Sequence, residues 1–161
     1  DQAVFAGGCA ESSDASVATL EADILKLYQD DFIAQWNGFL RDIRLAPITD
    51  LAPGLARVEL RKRRSVENHL GTVHAIAMCN MAELAGGLMT DVSVPAGARW
   101  IPSGMTVKYL KKAKTDLVAT ADGSGIDWNA GGDVVTTVQV RDTAGELVFT
   151  ADITMNVKLA G

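Results

Sequence analysis

The sequence predicts an α+β fold in which one long, nearly all-apolar helix is wrapped by an antiparallel sheet of about five strands, with an extra helix at the N-terminus. Three patterns carry this reading. Over 14–43 apolar residues recur at three- and four-residue intervals; over 73–89 (VHAIAMCNMAELAGGLM) a polar face is almost missing; from residue 105 onward apolar and polar residues alternate in four runs.

Taken in order, residues 1–13 are small and polar and read as a flexible leader, followed by a single domain over 14–161. Val17, Leu20, Ile24, Leu27, Tyr28, Phe32, Trp36, Phe39, Leu40 and Ile43 form the stripe of an amphipathic helix or helix pair, with Gly38 and Asp30-Asp31 as candidate breaks. This helix is expected to cover one face of the domain; its polar face is acidic and unsuited to anionic lipid. Pro47 and Pro53-Gly54 then mark a turn region, after which Ala56, Val58 and Leu60 alternate with Arg57, Glu59 and Arg61 as a half-buried strand opening a core that runs over 54–158. The helix over 73–89 is expected to be buried on all sides, with Gly86-Gly87 either capping it or admitting another backbone. Strands follow around Met105–Tyr109, Leu117–Ala121, Val134–Val140 and Leu147–Lys158, separated by a Gly-rich connection over 123–132 and a hairpin turn at Asp142-Thr143-Ala144-Gly145.

Length and composition limit the function. The 161 residues suit one domain, and 48% hydrophobic against 22% charged residues exclude a disordered chain. No window reaches the ~18 apolar residues of a membrane span. The net charge of −5 argues against a general nucleic-acid binder. Nine acids and three bases fall in residues 1–50, eleven acids and twelve bases in 51–161, so the acidity belongs to the N-terminal third. Nine of the fifteen bases cluster as Arg57/Arg61/Lys62/Arg63/Arg64 and Lys108/Lys111/Lys112/Lys114, a pattern that can serve an anion. Cys9 and Cys79 form neither a disulfide framework nor a zinc pattern, and a reducing, cytoplasmic setting is the default. No glycine-rich nucleotide loop and no metal-ligand spacing is present, so no cofactor is implied.

The chemistry concentrates in Asn68-His69-Leu70-Gly71-Thr72-Val73-His74-Ala75, which holds both histidines and leads into the apolar helix. Thr72 is the candidate N-cap, leaving the N–H groups of residues 73–75 free to hold an anion or a developing oxyanion. Glu83, a carboxylate within an apolar helix, is expected to lose hydration, which suits a general base or nucleophile; a structural ion pair is the alternative. Nine residues separate His74 from Glu83, two and a half turns and about 13 Å, so the two cannot meet in one chain. A homodimer with two composite sites follows.

Asn68, Gly71-Thr72, His74 and Glu83 together resemble the N-x-x-G-T-x-H-(G/A) … (D/E) pattern of hotdog-fold acyl-CoA thioesterases of the phenylacetate-degradation type, and more closely an uncharacterised bacterial branch of them. The motif resemblance spans roughly 68–113 and the element order about 54–158. It implies that Glu83 activates water or attacks the thioester carbon, that the Ala75 N–H polarises the carbonyl, that Asn68 orients the water and that His74 orients the thioester. Gly71 and Thr72 fall within the same motif as substrate-binding residues. A substrate-binding Ser or Thr on the strand after the helix corresponds to Ser103 or Thr106. Ala75 stands where Gly is commoner, and Glu83 where Asp is. Arg64, Lys111 and Lys112 are the candidates for the phosphates of coenzyme A, which enters as part of the substrate; a solvated basic edge is the plainer reading. Trp100 and Trp128 read as core or interface fillers.

The function implied is hydrolysis of an acyl-CoA or related acyl thioester. A non-catalytic acyl-CoA or lipid-binding protein of the same fold is the alternative; an enoyl-CoA hydratase, which needs an Asp about five positions from a His, has less support. The implied partner beyond substrate is a second copy of the chain, with a dimer of dimers as a further step.

Overall fold

A computed structural model describes residues 13–45 and 51–160, with side chains over 19–34, 36–38 and 51–160. The leader at 1–12, Cys9 and Pro47 lie outside the described residues, as do the side chains of Val17, Phe39, Leu40 and Ile43. The chain divides into two compact units, Asp1–Asn37 and Gly38–Gly161.

The first unit is formed by most of α1 (Ser13–Asp42). The helix is continuous: neither Asp30-Asp31 nor Gly38 breaks it. Gly38 is required for another reason, since a Cβ there would meet the Ser65 Cβ at 2.7 Å. Along α1, Tyr28, Phe32 and Trp36 recur every fourth residue and stack with centroid separations of 6.4 and 6.3 Å, the i,i+4 pairing a helix face imposes. The apolar stripe predicted from the sequence is there, but Leu20, Ile24, Leu27 and Phe32 are exposed rather than buried.

In the second unit, β1 (Ile43–Leu45), β2 (Leu51–Ala52), β3 (Leu55–Leu60), β4 (Arg99–Tyr109), β5 (Leu117–Asp122), β6 (Gly132–Asp142) and β7 (Leu147–Lys158) form one antiparallel sheet in the order β1-β3-β5-β6-β7-β4, with β2 paired to β3. Five strands are long, as the alternation predicts, and two are short. Pro53-Gly54 makes the β2–β3 turn, with Gly54 at φ 82°, a value that glycine adopts without strain.

One helix, α2 (Ala75–Ser93), crosses the inner face of this sheet. Strand period and helix period meet here. The inward residues of β3 (Ala56, Val58, Leu60), β5 (Leu117, Ala119, Ala121), β6 (Val138, Val140) and β7 (Phe149, Ala151, Ile153, Met155) are fully buried against Ala77, Met78, Met81, Ala82, Ala85 and Met89. Small residues let the helix approach, and methionines fill what remains. Gly86 marks a close approach, where a Cβ would stand 3.0 Å from Ile153 Cδ1; Gly87 receives the Trp100 ring, 3.1 Å from where a Cβ would be. Gly86-Gly87 therefore does not cap the helix, which runs on to Ser93. What approaches is side chains rather than a second backbone.

The expectation that α2 is buried on all sides is corrected. Ile76, Glu83, Asp91 and Val92 are exposed, and Cys79, Asn80, Leu84 and Leu88 are only half-buried. A single sheet can cover one face of a helix, and no element among the described residues covers the other.

The strand β4 is the second unfinished surface. Among the described residues it pairs only with β7, which leaves one edge of an eleven-residue strand open, and Ile101, Met105 and Tyr109 are exposed along it. A register shift lies between Pro102 and Gly104, where proline can give no N–H to the ladder. No helix among the described residues is long and apolar enough to cross a membrane.

Candidate active site at the start of the central helix

The segment that leads into α2 is fixed by its own side chains. A 3-10 turn at Arg64–Val66 is followed by an antiparallel bridge between Glu67 and Val73, which closes a small loop. Gly71, at φ 69°, turns the tip. The Asn68 carboxamide organises the interior: its Oδ1 accepts from the Leu70 N–H (2.9 Å) and Thr72 N–H (3.2 Å), and its Nδ2 donates to Thr72 Oγ1 (2.9 Å). Asn68 and Thr72 thus hold the loop's shape, and Thr72 is buried within it.

The N-cap is His74, not Thr72 as the sequence suggested. His74 is extended (φ −63°, ψ 140°) and its Nδ1 accepts the Ile76 N–H at 3.1 Å. Histidine can do the work of an Asx cap because Nδ1 is two bonds from Cβ, as an Asp oxygen is, and the Thr72 hydroxyl is already engaged with Asn68. With Ile76 satisfied and the Met78 N–H bonded to the His74 carbonyl (3.2 Å), the Ala75 N–H is left directed out of the helix start without a partner among the described residues. A helix terminus that presents an uncommitted N–H is suited to a developing negative charge.

His74 therefore stands outside the helix, and the count of two and a half helical turns between it and Glu83 does not fix where its side chain points. The separation along the axis does. Ala75 and Glu83 are eight residues, about 12 Å, apart on α2, too far for one thioester carbon to touch both. Glu83 is exposed, so the desolvation expected of it is not supplied by its own chain. Its place on the helix is informative: Cys79 and Gly87, four residues to either side, both touch β4, through Tyr109 and Trp100 respectively. Ala75, Cys79, Glu83 and Gly87 thus form one stripe along the open edge of the sheet.

The two basic runs, some fifty residues apart in sequence, come together on either side of this segment. The Val73 N–H donates to the Ala113 carbonyl (2.9 Å), the His74 N–H to the Val66 carbonyl (2.8 Å) and the Lys62 N–H to Asp116 Oδ1 (2.8 Å). Residues 61–64 and 111–114 therefore flank the start of α2. Lys62 is ion-paired with Glu67 at 2.5 Å and Lys111 with Glu146, while Arg64 and Lys112 are exposed.

Of the remaining candidates, Ser103 gives its hydroxyl to the Thr154 carbonyl (3.3 Å). Thr106 is paired with Asp152 and points to the sheet face away from α2, because Met105 and Val107 on either side of it oppose the inward-facing Ile153 and Ala151. Trp100 and Trp128 pack against the domain, Trp100 with its Nε1–H on Asp91 (3.2 Å), as expected of fillers. A polar hollow lined by Thr120, Asp122, Ser124, Gly125, Thr137 and Gln139 lies on the outer sheet face, away from this site. Sequence reasoning did not pick out Cys79 and Tyr109, whose Sγ and Oη are 3.2 Å apart. The spacing of Cys79, midway between Ala75 and Glu83, was the available signal.

A model of the DUF4442 family, described as a domain of unknown function, matches residues 37–157. The chain belongs to this family. A second model, IcmF-related (Intracellular multiplication and human macrophage-killing), matches residues 1–64. Among solved structures, the DUF4442 chain is similar to a structural-genomics protein with no stated function, at 48% identity and a TM-score of 0.71, over 86% of this chain and 97% of that one. It is also similar to a Pseudomonas aeruginosa protein of unknown function named a Probable Thioesterase (24% identity, TM-score 0.64, 74% and 85% of the two chains). Zebra fish Thioesterase Superfamily Member 2 matches at 21% identity with a TM-score of 0.62, over 72% and 81%. These neighbours share the hotdog fold, a long helix wrapped by an antiparallel sheet, which is the fold of the DUF4442 chain. No curated protein matches it.

Proposed function

We propose that the protein hydrolyses acyl-CoA, or a related acyl thioester, to the free acid and thiol, in sites composed from two copies of the chain. The observation that carries the reading is the stripe on α2: an open Ala75 N–H at the helix start and a carboxylate two turns further on, on the face that the chain leaves uncovered. The basic runs flanking the same helix start suit the phosphates of coenzyme A, with Arg64 and Lys112 exposed and Lys111 available if its pair with Glu146 opens. Exposed Leu70, Ile76, Tyr109 and Leu110 surround that start in the fold and offer apolar contact to an acyl group.

In the mechanism, the Ala75 N–H polarises the thioester carbonyl while Glu83 of the second copy takes a proton from water as it attacks the carbonyl carbon; direct attack by the carboxylate is the variant of this step. The tetrahedral intermediate places its negative oxygen at the helix start, where the dipole and the N–H stabilise it. Collapse expels the thiolate, which takes the proton from Glu83. His74, by holding the Ile76 N–H, keeps the first turn wound and the Ala75 donor aimed; Asn68 holds the loop and is the group beside it for orienting water. The open β4 edge and the uncovered face of α2 supply the surface for a twofold pairing.

Subunit mixing tests this. Glu83→Ala removes the carboxylate. Ala75→Pro removes only the N–H, since proline is tolerated at the first helical position and His74 already has the extended backbone that precedes a proline. Each variant alone is expected to release no thiol from a panel of acyl-CoAs. An equal mixture is expected to recover about a quarter of wild-type activity, because half the dimers hold one intact site of two. No recovery would place both groups in one chain, and acyl-CoA binding without thiol release by the wild type would establish the non-catalytic alternative.

A further inference from the structure

We propose that the Tyr109 hydroxyl is a second donor to the thioester carbonyl oxygen, acting beside the Ala75 N–H and held in position by the Cys79 thiol. This rests on the thioester-hydrolase reading and extends it by one catalytic residue, Tyr109, and one positioning residue, Cys79.

The geometry starts from α2. Helical side chains lean toward the N-terminus, so the thiol of Cys79 lies over the turn that begins at Ala75, four residues earlier. The Tyr109 Oη is 3.2 Å from that thiol, which brings the phenol from the end of β4 to the first turn of the helix. The Tyr109 ring is seated on Phe149, which is fully buried, with centroids 5.2 Å apart and planes tilted by 59°. One side of the ring is therefore fixed by the core while half of the residue remains open. A phenol has one proton to give and two lone pairs to receive with. Either group can donate in this contact; in the arrangement where Cys79 gives its S–H, the phenol's own O–H is free to point outward to a carbonyl oxygen.

Electrostatics and satisfaction of the oxyanion both favour this role. In the arrangement where the phenol donates to the Cys79 sulfur, that hydrogen bond and partial burial push Tyr109 up to about 12, so it carries its proton throughout the range in which a hydrolase operates. A single backbone N–H leaves a tetrahedral oxyanion with further lone pairs to satisfy, and a second donor fixed in place supplies one of them.

The test is steady-state thiol release by wild type, Tyr109→Phe, Cys79→Ser and Cys79→Ala, alongside Glu83→Ala. Tyr109→Phe keeps the ring on Phe149 and removes only the hydroxyl. It is expected to lower kcat by about 10²-fold, the usual effect of losing one oxyanion donor, with KM little changed and the same loss for every acyl chain. Cys79→Ser, which still offers a donor to the phenol, is expected to retain most of the activity; Cys79→Ala is expected to lose more, though less than Tyr109→Phe. An unchanged kcat in Tyr109→Phe, or an effect confined to KM, would overturn the proposal while an active wild type and an inactive Glu83→Ala leave the hydrolase reading standing. A wild type that releases no thiol from any acyl thioester would overturn both.

Discussion

The two faces of α2 are built on different principles. The face toward the sheet is made of Ala77, Met78, Met81, Ala82, Ala85, Gly86, Met89 and Thr90, all buried and, Thr90 aside, chemically uniform. Its logic is packing: small side chains where the sheet is near, flexible ones where it is not. The other face carries Ile76, Cys79, Asn80, Glu83, Gly87 and Asp91, a mixture that no packing rule would choose. Helix composition reports how much surface will eventually be covered, whereas periodicity reports which part the chain covers by itself. When the two disagree, the difference marks apolar surface that the chain itself leaves open.

The contrast can be broken first at Glu83. Glu83→Ala is expected to lower activity by about 10²–10⁴-fold, the range for losing a general base, with no measurable change in melting temperature, because the side chain is exposed. The reverse is expected on the other face: Met81→Ala, at a position with 0% exposure, costs about 2–5 kcal/mol of stability in chemical denaturation and, at temperatures where the variant is folded, leaves kcat near wild type. Should Glu83→Ala also destabilise, the open face would be structural. A third substitution addresses the edge. Met105→Lys puts a charge on the exposed side of β4 and is expected to shift the protein toward monomer in sedimentation velocity, with activity lost on dilution; an unchanged sedimentation coefficient would separate the edge from assembly.

The smallest effect expected is spectroscopic. Because folding holds the Tyr109 phenol neutral, its value lies above the ordinary 10.0, at about 12. The associated stability is fully present below pH 10 and is lost as pH rises through 12. Cys79→Ala removes the first-named cause, so the tyrosinate absorbance of the variant should rise at lower pH than that of wild type. Identical titrations would detach the thiol from the phenol.

Much of this architecture was legible in the sequence because it obeys simple periods. The alternation over 147–158 gave β7 without a miss, and the Pro53-Gly54 turn fell where φ 82° requires glycine. The candidate site was legible in part. Glu83 stood out as a charge in an apolar run, and the loop before α2 as the place where both histidines gather. The N-cap was misassigned because Thr72 and His74 are both able to cap, and the choice turned on Asn68 engaging the threonine, a contact that sequence order does not display. The exposure of Glu83 was missed for a different reason: an apolar helix looks the same whether its second cover comes from its own chain or another. Tyr109 was read only as part of an alternating strand, since its pairing with Cys79 spans thirty residues and two elements.

The interruption of β4 at Pro102 has a bearing on what this protein avoids. An open edge of eleven residues, with apolar side chains along it, would by itself recruit strands without limit and from any source. Pro102 has no N–H to give, and the pairing with β7 shifts register between Pro102 and Gly104, so regular pairing along β4 is interrupted there. An interruption of this kind limits the length over which a foreign strand can add to the edge. Replacing Pro102 by a residue that carries an N–H is therefore expected to raise the tendency to aggregate, read as light scattering on prolonged incubation.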